Sequence, residues 1–206
     1  MSEFNINGMP PREIYQILTR LVVPRPIAFV STLSADGVGN LAPFSFFTMG
    51  GLNPPSLAFC PVNTRDGRVK DTVQNIEATG EYVVNLVTRH MAEAANEASR
   101  AFEPGVDEFD EVNCTRVQSS IVKPPRVAES PASMECRLFK ILRHGKGALA
   151  SNYIVGEVLA IHIDENFLEG GLPNTRAMDL VGRLGGDDYV RLSPEALFPL
   201  ARPKED

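Results

Sequence analysis

Two long runs of strand-forming residues, Ser133 to Leu142 and Tyr153 to Ile163, lie close together and are joined by the turn-rich His144-Gly145-Lys146-Gly147. β-Branched and aromatic residues bounded by glycine predict strands, and their length and proximity predict one large hairpin. Shorter strand signals precede it at Ile27 to Leu33, Asn40 to Phe47, Ser56 to Val62 and Glu81 to Val87. A last short strand is expected at Tyr189 to Leu192. No regular strand–helix alternation runs through these signals, so a parallel sheet is disfavoured. The expected class is mainly β, a β-barrel with peripheral helices, forming a single domain over residues 1–206.

The helices are few. Ile14, Ile17, Leu18 and Leu21 recur at helical spacing and predict a helix from Pro10 to Val22, ended by Pro24 and Pro26. Met91 to Phe102 is Ala/Glu-rich and reads as a second. A third, carrying Val73 and Ile76, begins at Asp71 as N-cap, with Gln74 completing a capping box and Gly80 as its stop. Ser34-Ala35-Asp36-Gly37 supplies a hairpin turn, and Pro43 places its strand at an edge or bulge. Residues 103–131 show no periodicity and read as a long loop, functional or hiding short elements.

The 206 residues carry 43% hydrophobic and 22% charged side chains, an ordinary globular composition. A net charge of −6 argues against a general nucleic-acid or anionic-membrane surface, although a local basic pocket could still take a small anion. No run approaches the roughly 20 apolar residues that span a bilayer. Cys60, Cys114 and Cys136 are odd in number and widely spaced, as expected of reduced thiols. With an N-terminus lacking a basic-then-apolar leader, they point to a cytoplasmic location.

Asn63 to Thr72 concentrates Arg65, Arg68 and Lys70 at the start of the third helix. Helix N-termini offer unpaired N–H groups and partial positive charge, so three cations there suggest either an anion site, such as one for phosphate, or a solvated basic turn. Pro43-Phe44-Ser45-Phe46-Phe47 reads as a strand with Ser45 and Phe47 on one face, Phe44 and Phe46 on the other. It is either a two-sided core strand or a wall for a flat ring. Gly37 to Ala42 matches a loose dinucleotide pattern, but Pro43 follows where a helix is required, and a hairpin turn explains the glycines better. His90, His144 and His162 lack metal-ligand spacing, so no metal is expected. His162 shares a strand face with Asp164, opposite Ile161 and Ile163, as a substrate contact or a satisfied histidine. Cys60 reads as a small buried side chain.

Taken together, the segments Arg25 to Thr32, Ala42 to Phe47, Asn53 to Phe59, Lys70 to Ile76 and Glu81 to Leu86 resemble the flavin reductase-like family. Glu129-Ser130-Pro131, Glu135-Cys136, Gly156 through His162, and Arg183 to Gly186 continue the likeness, which spans residues 12 to 192. The resemblance implies an FMN-binding split β-barrel with FMN held non-covalently at a homodimer interface. It implies isoalloxazine contacts from Phe44 to Phe47, with Pro43, and from Cys60, Pro61 and Val62. It assigns ribityl and phosphate contacts to Thr64, Arg65, Lys70, Asp71 and Thr72. The implied activity is an NAD(P)H-dependent flavin reductase or related FMN oxidoreductase, serving in some cases a monooxygenase partner. His162 and Arg183 are then candidate nicotinamide contacts. A flavin-binding electron carrier or redox sensor without turnover is the alternative.

Overall fold

The computed structural model describes residues 1–103 and 105–203; Pro104, inside the expected loop, and the last three residues lie outside it. Helix α1 (Pro11–Leu21) starts on Pro11, whose fixed φ suits the first helical position. β1 (Arg25–Pro26), β2 (Ala28–Leu33) and β3 (Gly39–Phe44) follow, β2 and β3 closing a hairpin over the expected turn. β4 (Phe47–Leu52) pairs with β5 (Pro55–Phe59), and α2 (Asp71–Thr79) ends on Gly80, left-handed at φ 74°. Next come β6 (Glu81–Leu86), α3 (Ala92–Glu97), α4 (Glu108–Glu111) and the small pair β7 (Arg116–Val117) and β8 (Arg126–Val127). β9 (Ala132–His144) and β10 (Ser151–Ile163) form the long hairpin. The chain ends with β11 (Leu168–Glu169), β12 (Leu172–Pro173), β13 (Val181–Arg183) and β14 (Tyr189–Arg191).

The main sheet has seven strands in the order β3-β2-β6-β9-β10-β5-β4. β3 and β4 are therefore opposite edges, yet only Ser45 and Phe46 separate them in the chain. Six interstrand spacings of about 4.8 Å would set the edges of a flat sheet roughly 29 Å apart. Two linking residues reach only about 11 Å. The sheet must roll until its edges meet at this corner, which makes it a barrel that stays unpaired between β3 and β4.

Alternation along β2 divides the apolar residues between two cores. Ala28 and Val30 join Phe44, Phe59, Tyr82, Val84 and Ile154 in one cluster, which Val73 and Ile76 of α2 complete. Phe29 and Leu41 point the other way, against Met91, Ala95, Phe109 and Val127. Each fully buried large side chain contributes on the order of 1.5–3 kcal/mol.

Several expectations need correction. The aromatic segment is a corner between two strands, so Ser45 and Phe47 do not share a strand face; β4 itself was hidden by Gly50-Gly51, where its ladder is irregular. Lys70, not Asp71, is the N-cap residue, and no side chain caps the helix there. Asp71 Oδ1 instead accepts from Arg68 at 3.0 Å, and Gln74 Nε2 donates to the Val69 carbonyl at 2.8 Å. The second expected helix stops at Glu97 because the chain turns at Ser99, whose N–H and hydroxyl both bond the Asn96 carbonyl. The long loop contains α4, β7 and β8. On α1 the apolar stripe is largely uncovered: Leu18 and Leu21 are 53% and 72% exposed, whereas Thr19 is buried.

Glu135 anchors the 119–122 segment to β9. Its side chain is fully buried and accepts from the backbone N–H of Ser120, Ile121 and Val122 at 2.7, 2.7 and 3.0 Å, and lies 2.5 Å from His162 Nε2. Burial pushes the carboxyl up, but the three N–H donors and His162 outweigh it and hold it at about 2. Its folded value lies below the unfolded value of about 4.3, so its stabilisation is complete above that pH and lost as pH falls toward 2. Glu135→Gln is expected to cost about 2–4 kcal/mol at neutral pH. Urea midpoints followed down to acid should show the variant losing less stability than wild type below about pH 4.3.

Candidate functional site

The loop before α2 is built by its own hydrogen bonds. Thr64 N–H donates to the Arg68 carbonyl at 2.9 Å and Gly67 N–H to Thr64 at 3.0 Å, with Gly67 at φ 89°. Asn63 fastens the loop to the β9–β10 turn, donating to the Gly147 carbonyl at 2.9 Å and accepting from Asn152 at 2.9 Å. The tight turn brings Arg68 and Lys70 to one side. There Thr64, Arg68, Lys70, Asp71 and Thr72 line a cavity of about 130 Å³. Asn40, Ala42 and Pro43 of β3, Ala98 to Phe102 and Glu108 complete its wall.

Val73 and Gln74 N–H groups bond the Lys70 carbonyl, so Asp71 and Thr72 carry the N–H groups that an α-helix leaves without partners. Burial pushes the Lys70 ammonium below its usual value, and the Arg68 charge acts the same way while Asp71 opposes it. Lys70 takes part in none of the ion pairs among the described residues. Glu108 accepts from Leu41 N–H at 3.0 Å, and burial, followed by the charges of Asp107 and Asp71, works to raise its carboxyl.

The corner adjoins this cavity through Pro43. Cys60 N–H donates to the Phe46 carbonyl at 2.8 Å, Phe47 pairs with Phe59, and Val62 bridges Ser151. Residues 43–47 and 60–62 thus form one continuous edge beside the cationic cavity. Within it Phe44 is a core side chain packed on Phe59 at 5.3 Å, whereas Phe46 is exposed beside Tyr15 at 6.5 Å. Cys60 is a buried thiol raised by desolvation. Arg183 stands opposite Arg25 across the β1–β13 ladder and stacks on Tyr189 at 4.4 Å.

Two expected residues lie apart. Arg65 is exposed and does not line the cavity; Arg68, from the same basic run, does. His162 faces a second cavity of about 430 Å³ with Arg126, Ser130 and Asp164. Asn40, Glu108 and the 98–102 segment escaped the sequence reading because they are brought in by tertiary packing. Among the described residues no group of three His, Cys, Asp or Glu side chains is placed to hold a metal, and no helix is long and apolar enough to cross a membrane.

The flavin reductase like domain matches residues 19–178, and the chain belongs to the flavin reductase-like family. An uncharacterized protein of Aquifex aeolicus is 38% identical over 190 residues, covering 92% of this chain and 95% of the other. Nitrilotriacetate monooxygenase component B from Bacillus cereus superposes with a TM-score of 0.91 at 30% identity, covering 97% of this chain and 98% of that one. A Shewanella frigidimarina structure described as having a split barrel domain superposes at 0.81 over the whole of both chains, at 24% identity. The fold is the split barrel of the flavin reductases.

Glu108→Gln keeps an acceptor for Leu41 N–H and removes a negative charge from the cavity. Titration calorimetry with inorganic phosphate is expected to show about three- to tenfold tighter binding than wild type.

Proposed function

We propose that this protein is an FMN-binding oxidoreductase, an NAD(P)H-dependent flavin reductase. The observation that carries the reading is the partly buried Lys70, unpaired with any carboxylate among the described residues, beside Arg68 and the open N-terminus of α2. Those donors fit a phosphate: two cations and successive N–H groups meet in a cavity of about 130 Å³. The adjoining corner supplies an exposed aromatic edge at Phe46 and, at Ser45, polar groups outside either strand ladder, as suits a flat ring.

Lys70, Arg68, Thr64 and the N–H groups of Asp71 and Thr72 would hold the phosphate. Ser45, Phe46 and the Cys60 to Val62 segment would border the ring. When bound, FMN supplies the hydride-accepting chemistry, so the chain needs no acid–base pair of its own. Arg183, beside the corner, is the candidate nicotinamide contact; His162 is committed to Glu135 and faces the other cavity. A second copy would cover the exposed stripe of Tyr15, Leu18, Leu21 and Phe46 and close the flavin site. The likeness to a monooxygenase component supports a role in feeding reduced flavin to a monooxygenase partner.

Purified protein loaded with FMN is expected to be yellow and to bleach anaerobically on adding NADH or NADPH. Colour that neither nucleotide bleaches would instead favour the electron-carrier reading. Arg68→Gln with Lys70→Gln should weaken FMN by one to two decades per lost phosphate contact while riboflavin changes little, since charged hydrogen bonds are worth about 1.5–3 kcal/mol. Arg65→Gln should leave both affinities near wild type. Equal losses of FMN and riboflavin in the double variant would remove the phosphate assignment.

A further inference from the structure

Arg25 is 4% exposed, and among the described residues it joins no ion pair. Its guanidinium is satisfied by neutral oxygens instead. Nη1 donates to the carbonyls of Thr19 and Val22 at 2.6 and 2.8 Å, and Nη2 donates to Leu184 at 2.8 Å. Nε donates to Ser45 Oγ at 3.3 Å, and the same guanidinium lies 5.9 Å from the Phe46 ring centre. Carbonyl dipoles stabilise a cation without neutralising it, so a full positive charge remains directly behind the corner.

The bond to Ser45 decides what that hydroxyl can do. A serine hydroxyl has one proton and two lone pairs. Arg25 can only donate, so one lone pair is taken and Ser45 is the acceptor in that contact. Among the described residues, the hydroxyl proton of Ser45 is donated to no protein group. Ser45 is half-buried at the corner, outside the β3 and β4 ladders, next to the exposed Phe46.

We propose that Arg25 is a positioning residue for the flavin site: it holds Ser45 Oγ as an acceptor, so that the Ser45 proton turns outward as a donor to the electron-rich edge of the ring lying along the corner. The inference rests on the FMN reading above. The donor and the uncompensated charge behind it both favour the reduced ring, which carries more electron density than the oxidised one. Their removal therefore weakens reduced FMN more than oxidised FMN. Such a difference appears as a potential, whereas a purely structural role would change stability or affect both affinities alike.

The test uses full-length protein with FMN, measuring oxidised-FMN affinity by fluorescence quenching, the midpoint potential of bound FMN by anaerobic titration, and thermal stability. Ser45→Ala leaves every carbonyl contact of Arg25 in place and is the primary variant. It is expected to bind reduced FMN about tenfold less well relative to oxidised FMN, which for a two-electron couple lowers the midpoint by about 30 mV. Arg25→Met should lower the midpoint at least as far, and Arg25→Lys, which keeps the charge but not the fork, should lower it less. A Ser45→Ala midpoint equal to wild type overturns the inference while leaving the FMN reading intact. Wild-type protein that quenches no flavin fluorescence overturns both.

Discussion

Because only Ser45 and Phe46 separate the two edge strands of the sheet, the barrel is closed at one end by the reach of its own chain. The rest of the architecture follows from that tether. The inner face of the rolled sheet must be filled, which Phe44, Phe59, Tyr82 and α2 accomplish. Phe46 extends the β4–β5 pairing by one carbonyl, to Cys60 N–H, whereas Ser45 lies in neither ladder and its hydroxyl turns to Arg25. A corner of this kind concentrates unladdered backbone and hydroxyl groups on a rigid scaffold, which is where binding groups belong.

Electrostatics separates two populations of cations in this acidic chain. Arg89, Arg100, Arg116, Arg143 and Arg191 pair with carboxylates near the surface, where each pair is worth roughly 0–1 kcal/mol. Arg25 and Lys70 are more buried and take part in none of those pairs, and desolvation lowers both below their usual values. Burial raises the free energy of an unpaired cation, so these positions are where a bound anion or an electron-rich ring would return the most stabilisation. Both lie along the same continuous edge formed by the corner and the α2 N-terminus.

Much of the fold was legible in local pattern. The β9–β10 hairpin shows in its alternation and its glycine-rich turn, and the end of α2 in Gly80. β4 was not legible, since Gly50-Gly51 erases strand propensity where the ladder is irregular. Periodicity carries no signal for a corner, so in the sequence the aromatic segment reads as one strand. The cap slipped by one residue because the Asp71 carboxylate is taken by Arg68. Composition named three cations before α2, but which of them faces the cavity depends on the tight 64–68 turn, and that turn selects Arg68 over Arg65. The Glu135–His162 pairing needed the strand register, where Ala160 opposes Glu135 and His162 opposes Ser133 across an irregular ladder.

The C-terminus of α1 explains how Arg25 can stay unneutralised. The last carbonyls of a helix lack intrahelical donors and carry partial negative charge, so a cation there satisfies both itself and the helix end. Thr19 and Val22 provide two such oxygens, and Leu184, before β14, provides a third. A carboxylate in their place would hold the arginine as firmly but cancel its field at the corner. Carbonyls hold it and leave the field in place, and in doing so they dock α1 by its end, with only Thr19 along its length fully buried. One guanidinium thus ties the end of α1 to the corner, and its charge stays uncancelled beside Ser45 and Phe46.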